Sequence, residues 1–175
     1  MKCSTFIGTL MSNPTPYLEV EGEKLLTSTL SIKGKSYALI GYATSFTEEV
    51  GTRVKVTGYV KTLRDQGKLQ TFFKVLQMEK LINGEEDNSK LEVEGVLAKR
   101  DQKLTIVENR GLELIAGVIQ FKDAEDEYNL VHFICKGKEA RKMVTIEKDS
   151  KINLKGVFSK RNSVYELKVK EIETL

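Results

Sequence analysis

Lys151–Leu175 reads KINLKGVFSKRNSVYELKVKEIETL, and its pattern occurs twice in the chain. Ile152, Leu154, Gly156 and Phe158 alternate with Asn153, Lys155 and Val157. A polar turn, Ser159–Asn162, leads to Tyr165, Leu167, Val169, Ile172 and Leu175. The earlier copy runs Val54, Val56, Gly58 and Val60 against Lys55, Thr57 and Tyr59. Its turn is Arg64–Lys68, and Phe73, Val75, Met78 and Leu81 follow. Alternation at a step of two marks a half-buried strand. Both copies pass a glycine at the same point, and both leave phase in the same way: Val75, Met78, Leu81 against Val169, Ile172, Leu175. A shared break in phase is harder to meet by chance than a shared alternation. The chain therefore reads as one β unit written twice. Each copy ends in a hairpin, and its glycine lets the strand bend or another backbone approach closely.

The 175 residues divide on this reading into a first unit over 1–83, a linker over 84–90 and a second unit over 91–175. The stretch Asn83-Gly84-Glu85-Glu86-Asp87-Asn88-Ser89 at this junction holds turn formers and charge and no large apolar residue. Residues 1–83 carry 11 basic and 7 acidic groups, 84–89 carry three acids, and 90–175 carry 17 basic and 15 acidic groups. Each unit is mildly basic, which suits an anionic partner without demanding one. No apolar run approaches the ~20 residues of a membrane helix, and Met1–Leu10 lacks the apolar core of a secretory signal. The expected compartment is the cytosol. Cys3 and Cys135 sit one in each half and read as small hydrophobes in a reducing compartment.

Along the first unit, Ser4–Leu10 is a strand that Asn13-Pro14-Thr15-Pro16 breaks and Tyr17–Val20 resumes. Leu25–Ile32 and Ser36–Ala43 flank a tight Lys33-Gly34-Lys35 turn. Thr44–Thr52 has room for one helical turn. The second unit repeats the plan with Leu91–Gly95, Leu104–Val107, Leu112–Phe121 and Tyr128–Cys135. Its loop Lys122–Glu127 is charged, and its cluster of carboxylates reads as solvated rather than metal-holding, since the spacing of a calcium loop is absent. In Lys138–Ile146, Ala140, Met143 and Val144 fall at helical spacing. The expected fold is all-β with a short helix: two tandem OB-folds, each a five-stranded Greek-key barrel.

Val131–Ala140 (VHFICKGKEA), a basic helix and Asp149–Val157 (DSKINLKGV) resemble the bacterial single-stranded DNA-binding protein family. Lys136, Gly137, Lys138, Glu139 and Ala140 match the family's step from third strand into helix. Asp149-Ser150-Lys151 and Gly156 match its fourth strand. The first unit matches through Phe6-Ile7-Gly8-Thr9-Leu10 with Asn13-Pro14, and through Val50-Gly51-Thr52 before Val54, Val56 and Gly58. The resemblance implies OB-folds that bind single-stranded DNA regardless of sequence, protecting it in replication, recombination or DNA transfer, and an assembly of four such units. A homodimer of this two-unit chain would supply four, with the sparsely charged strand Lys2–Leu10 as its expected joining edge. There is no tryptophan, on which many members stack bases. The sequence ends at Leu175 without the family's acidic tail, so recruitment through such a tail is not expected.

Single-strand binding needs flat faces to stack on bases and cations to follow phosphates. In the second unit Val131, Phe133 and Cys135 form the apolar face, which turns Tyr128 and His132 outward beside Lys136, with Lys138 just beyond. Lys160 and Arg161 stand at the last hairpin tip. In the first unit Tyr37, with Lys33 and Lys35, is taken as the counterpart of Tyr128. Tyr59 lies on the face opposite Val56 and Val60, and Lys61, Arg64 and Lys68 line the hairpin. For each tyrosine alone a core position is as reasonable as stacking. Phe6, Phe46, Phe73, Phe121 and Phe158 are assigned to the cores. No cofactor, metal or small-molecule substrate is expected, and one histidine supplies no catalytic constellation. Two other readings fit the same residues. One is an OB module that binds protein in a phage or mobile-element assembly, favoured by the mild charge and missing tryptophan. The other is single-stranded RNA binding.

Overall fold

The computed structural model describes residues 1–175. It divides into two compact units, Cys3–Ser89 and Lys90–Leu175, the second also taking Met1–Lys2. In the first, β1 (Ser4–Leu10), β3 (Glu23–Ile32), β4 (Lys35–Tyr42), β5 (Arg53–Asp65) and β6 (Lys68–Lys80) pair in the ring β1-β5-β6-β4-β3-β1. All contacts are antiparallel except β4–β6, which is parallel at Leu39↔Phe73 and Ile40↔Lys74. That order is the OB-fold Greek key. The segment expected to resume the opening strand is a separate strand, β2 (Thr15–Val20), paired only with β3. Phe6 stacks on Phe73 with ring centroids 4.0 Å apart, inside a core that includes Leu10, Leu30, Leu39, Val54, Val56 and Val75.

The second unit repeats the ring. β7 (Lys90–Arg100), β9 (Leu112–Lys122), β10 (Tyr128–Lys136), β11 (Lys151–Arg161) and β12 (Val164–Thr174) pair as β7-β11-β12-β10-β9-β7, with β8 (Thr105–Val107) attached to β9. The parallel contact is β10–β12 at Phe133↔Leu167 and Ile134↔Lys168. Val131, Phe133 and Cys135 face inward and are buried, as their alternation implies. The short helix α1 (Lys138–Met143) follows β10 and buries Ala140 and Met143. At the same place the first unit has a single 3-10 turn, Ala43–Ser45.

The shared phase break is a pair of β-bulges. Opposite Thr57/Gly58 the partner register jumps from Gln77 to Val75, leaving Leu76 as the extra residue. Opposite Lys155/Gly156 it jumps from Glu171 to Val169, leaving Lys170. One inserted residue moves every later side chain to the other face, so the apolar step lengthens from two to three between Val75 and Met78 and between Val169 and Ile172; Leu81 and Leu175 lie just past the ends of β6 and β12, and Leu175 is exposed. The glycines are required there. A Cβ at Gly58 would land on the Lys74 carbonyl oxygen, and one at Gly156 on that of Lys168.

Three expectations change. The segment 84–89 is not a bare linker: Ile7 and Asn88 exchange backbone hydrogen bonds of 2.9 and 3.1 Å. Arg53 donates to the Glu85 carbonyl (2.8 Å) and to Asp87 Oδ1 (2.7 Å), and the Lys33 amide donates to Asp87 Oδ2 (3.0 Å). The Asp87 carboxylate is thus neutralised by a guanidinium. The same contact occupies the middle of the β1 edge, so a dimer joined through β1 would first have to displace Asn88. In the loop after β9, Asp123 is buried rather than solvated. It accepts from the Glu125 and Glu127 amides and from Asn129 Nδ2 (2.8 Å), and so ties the turn together. Phe46 is only half-buried, while Phe72, unassigned in sequence, is in an apolar cluster.

Candidate nucleic-acid interface

In an OB-fold, ligands lie across the outer face of the second and third barrel strands, between the loops that follow the first and fourth. In the second unit that face is β9–β10. Side chains directly opposite in a ladder point to the same side, so the pairs Tyr128↔Lys122, Leu130↔Gln120, His132↔Val118, Ile134↔Ala116 and Lys136↔Leu114 define it. Tyr128 is 60% exposed, and the Lys122 ammonium stands 5.1 Å from its ring centroid. His132 and Lys136 are exposed further along the strand. The parallel contact sets Lys168 beside Ile134. Lys136, Lys168 and Lys170, with Glu139 and Val169, border a depression of about 140 Å³. The arrangement offers a flat aromatic ring, an imidazole and a line of ammonium groups. Cys135, behind the face, is no nucleophile: burial and then Glu139 push its thiol up to about 12. No three His, Cys, Asp or Glu side chains gather where they could hold a metal ion.

The expected residues divide. Tyr128, His132, Lys136 and Lys138 lie together along β10 and the start of α1, and all are exposed. Arg161 is exposed near the last hairpin tip, while Lys160 is half-buried with its ammonium 5.4 Å from the Tyr165 ring. In the first unit Lys33 and Lys35 are exposed at the β3–β4 turn, and Arg64 and Lys68 at the β5–β6 tip. Tyr37, Tyr59 and Lys61 are not on the surface: they are 4%, 2% and 3% exposed. For Tyr37 the cause is register. Leu39↔Phe73 and Phe133↔Leu167 are equivalent pairs, the second displaced from the first by 94 residues (133 − 39 and 167 − 73). The counterpart of Tyr37 is therefore inward-facing Val131 and not Tyr128, and its ring meets Phe6 edge-on at 6.2 Å. Tyr59 pairs with Lys74, whose ammonium lies 5.9 Å from its ring, and Lys61 pairs with Phe72 within the hairpin.

The first unit's own face is occupied. Leu25, Ile40 and Phe72 form an apolar cluster with Tyr17, Leu18, Val20, Ala38, Tyr42 and Leu63 packed on it. The Tyr17 ring meets Phe72 edge-on at 5.2 Å, and its hydroxyl donates to Asp65 Oδ2 at 3.0 Å. Burial, and then the Asp65 carboxylate, raise this phenol above its ordinary value. The residues that sequence reasoning missed are Lys122, Lys168 and Lys170. Their outward direction is implied by alternation with Phe121, Leu167 and Val169, but their place beside β10 depends on strand pairing.

No helix is long and apolar enough to cross a membrane. No protein-family model and no curated protein matches the sequence. Among solved structures, the wild-type single-stranded DNA binding protein from Thermus aquaticus superposes with a TM-score of 0.78 at 12% identity, over 100% of this chain and 93% of that one. A deletion mutant of the same protein gives a TM-score of 0.79 at 13% identity, over 100% and 94%. The chain has the tandem OB-fold of these proteins from end to end.

Proposed function

We propose that the chain binds single-stranded DNA without regard to sequence, as a binding protein and not an enzyme. The observation that carries this reading is the β9–β10 face. Tyr128 and His132 stand exposed on one strand, with Lys122, Lys136 and Lys168 beside them. Stacking accepts any base, because every base has a flat face, and the cations follow the phosphates. The resemblance of Val131–Val157 to the single-stranded DNA-binding family, and the fold shared with the Thermus aquaticus protein, support the same reading. On it the chain protects single strands exposed in replication, recombination or DNA transfer in the cytosol. The exposed Lys33, Lys35, Arg64 and Lys68 of the first unit, the exposed Lys138 and Arg161 of the second, and its half-buried Lys160 add phosphate contacts at the rim.

The test is fluorescence anisotropy with labelled oligo-dT, in parallel with RNA of equal length. The expected result is binding to dT that weakens linearly in log–log form with salt. Absence of dT binding at low salt would overturn the proposal and return the chain to the protein-interaction reading. Tighter binding to RNA would replace DNA by RNA as the ligand.

A further inference from the structure

We infer that a single strand lying on the β9–β10 face continues past β9 into a second phosphodiester site, a cleft of about 690 Å³ lined by Ala98, Lys99, Arg100, Gln102 and Lys148. The inference rests on the single-strand reading above. Its starting point is a bulge in β7. Leu97 pairs with Ile119 and is buried, so strict alternation would turn Lys99 inward as well. The register instead shifts between Leu97 and Lys99, and Lys99 pairs with Val118. Val118 in turn pairs with His132. Lys99, Val118 and His132 therefore form one row across three strands on one face. With neighbouring strands about 4.8 Å apart, Lys99 stands roughly 10 Å from His132. Bulges re-aim side chains in this way, and here the result is a cation on the face that carries the aromatic groups.

The cleft is a built feature, assembled from two segments. Arg100 is held by its own donors: Nε to the Ile146 carbonyl and Nη1 to the Asp101 carbonyl, each at 2.8 Å. The segment after α1 is fastened to β7 by Leu97 N to Ser150 O (2.9 Å) and Asp149 N to Leu97 O (2.8 Å). That fastening holds Lys148 at the cleft's opposite wall. None of the lining residues is acidic. The nearby Asp101 carboxylate accepts from the Ala116 amide at 2.9 Å. The equivalent stretch of the first unit, Thr9-Leu10-Met11-Ser12 at and just past the end of β1, has no cation at all, so the site belongs to the second unit alone. A row that begins at the β10 aromatics and ends at two exposed ammonium groups fits a polyanion in contact with both.

The experiment uses the full chain, with Lys99 and Lys148 replaced together by alanine, and separately by glutamate. Arg100 is left alone because it braces the fold. OB-fold footprints run from about 4 to about 16 nucleotides, so dT oligomers near those two limits are compared. For the long oligomer the alanine pair should reduce the slope of log K against log salt by about 1.4, two contacts at ~0.7 each. The glutamate pair should weaken it further, and thermal melting should stay at the wild-type value. For the short oligomer, which the β10 face can hold by itself, neither pair should matter. A wild-type slope for the long oligomer would overturn the inference while leaving the single-strand reading standing. Equal losses for both lengths would also overturn it, since the cleft would then not be a continuation of the path. If the wild-type chain bound neither oligomer, both readings would fall together.

Discussion

Replacing Tyr128 and Tyr37 by alanine, one at a time, separates contact from core. The two residues are chemically identical and were equally plausible base-stacking partners in sequence. Tyr128 is 60% exposed and Tyr37 is 4% exposed. Removing a ring that stacks on a base costs ~1–3 kcal/mol, or roughly 5- to 150-fold in Kd. Removing an exposed side chain changes stability by no more than about 0.5 kcal/mol. Tyr128→Ala should therefore weaken dT binding by that factor and leave the melting curve in place. Tyr37→Ala empties a site packed edge-on against Phe6, and such a truncation costs about 3–5 kcal/mol. At roughly 4–8 °C per kcal/mol for a domain of this size, Tm of the first unit should fall by at least about 12 °C. Anisotropy with labelled dT and a thermal melt, run on both variants, give the four numbers needed. Wild-type affinity in Tyr128→Ala would remove the β10 face from the proposal. A Tyr37→Ala chain with unchanged melting and weakened binding would mean that the register argument is wrong.

Three further outcomes follow from local geometry. Burial pushes the Asp87 carboxyl up, but the Lys33 amide and the Arg53 guanidinium outweigh it and hold the group below its ordinary 3.8. Its contribution to stability is therefore complete above that value and is lost as pH falls through the lower folded one; the stability gap between the wild type and Asp87→Asn, measured by denaturant melts, should close over that acid window. Gly156→Ala should destabilise by at least about 1–3 kcal/mol, because its Cβ meets a backbone oxygen, whereas Gly84→Ala, with open space around it, should be neutral. At pH 8 a thiol reagent should titrate only Cys3, which is exposed, and should reach Cys135 only in denaturant, since burial pushes that thiol to about 12.

What could be read in sequence is what packing constrains. Inward positions of a small barrel must be apolar and must alternate, so Val131, Phe133 and Cys135 declared their direction, and the bulges declared themselves as a break in that alternation. The turns and the helix around Ala140 and Met143 were legible for the same local reason. Tyr37 reads as the counterpart of Tyr128 only when the two copies are matched through their turns. The loop Lys122–Glu127 is longer than Lys33–Lys35, so the turns are not equivalent points, while the parallel contact with the last strand is. Lys168 and Lys99 were illegible for a different reason. Each reaches the candidate face through pairing between distant strands, and Lys99 also requires a bulge. The docking of Asp87 depends on Arg53, 34 residues away, and nothing local announces it.

The two units keep the same inner frame and differ on the outer face, and hairpin length accounts for the difference. At equivalent positions the first unit has Ala38, Tyr42, Phe72 and Lys74 where the second has His132, Lys136, Glu166 and Lys168. None of these points into a barrel, so none is constrained by core packing, and the face can be filled or left open without changing the ring. In the first unit β2 has six residues, and β5 and β6 have thirteen each. Tyr17, Leu18 and Val20 from one hairpin and Leu63 and Phe72 from the other meet over β4. In the second unit β8 has three residues, and β11 and β12 have eleven each. At about 3.3 Å per residue β8 falls roughly 10 Å short of its counterpart's reach. It pairs only with Leu112, Glu113 and Leu114, at the far end of β9 from Tyr128. A face crossed by hairpins has already buried its aromatic rings against its own chain and gains little by exchanging them for bases. The face that short hairpins leave uncovered keeps Tyr128 and His132 in water, where a stacked base would bury apolar area for the first time.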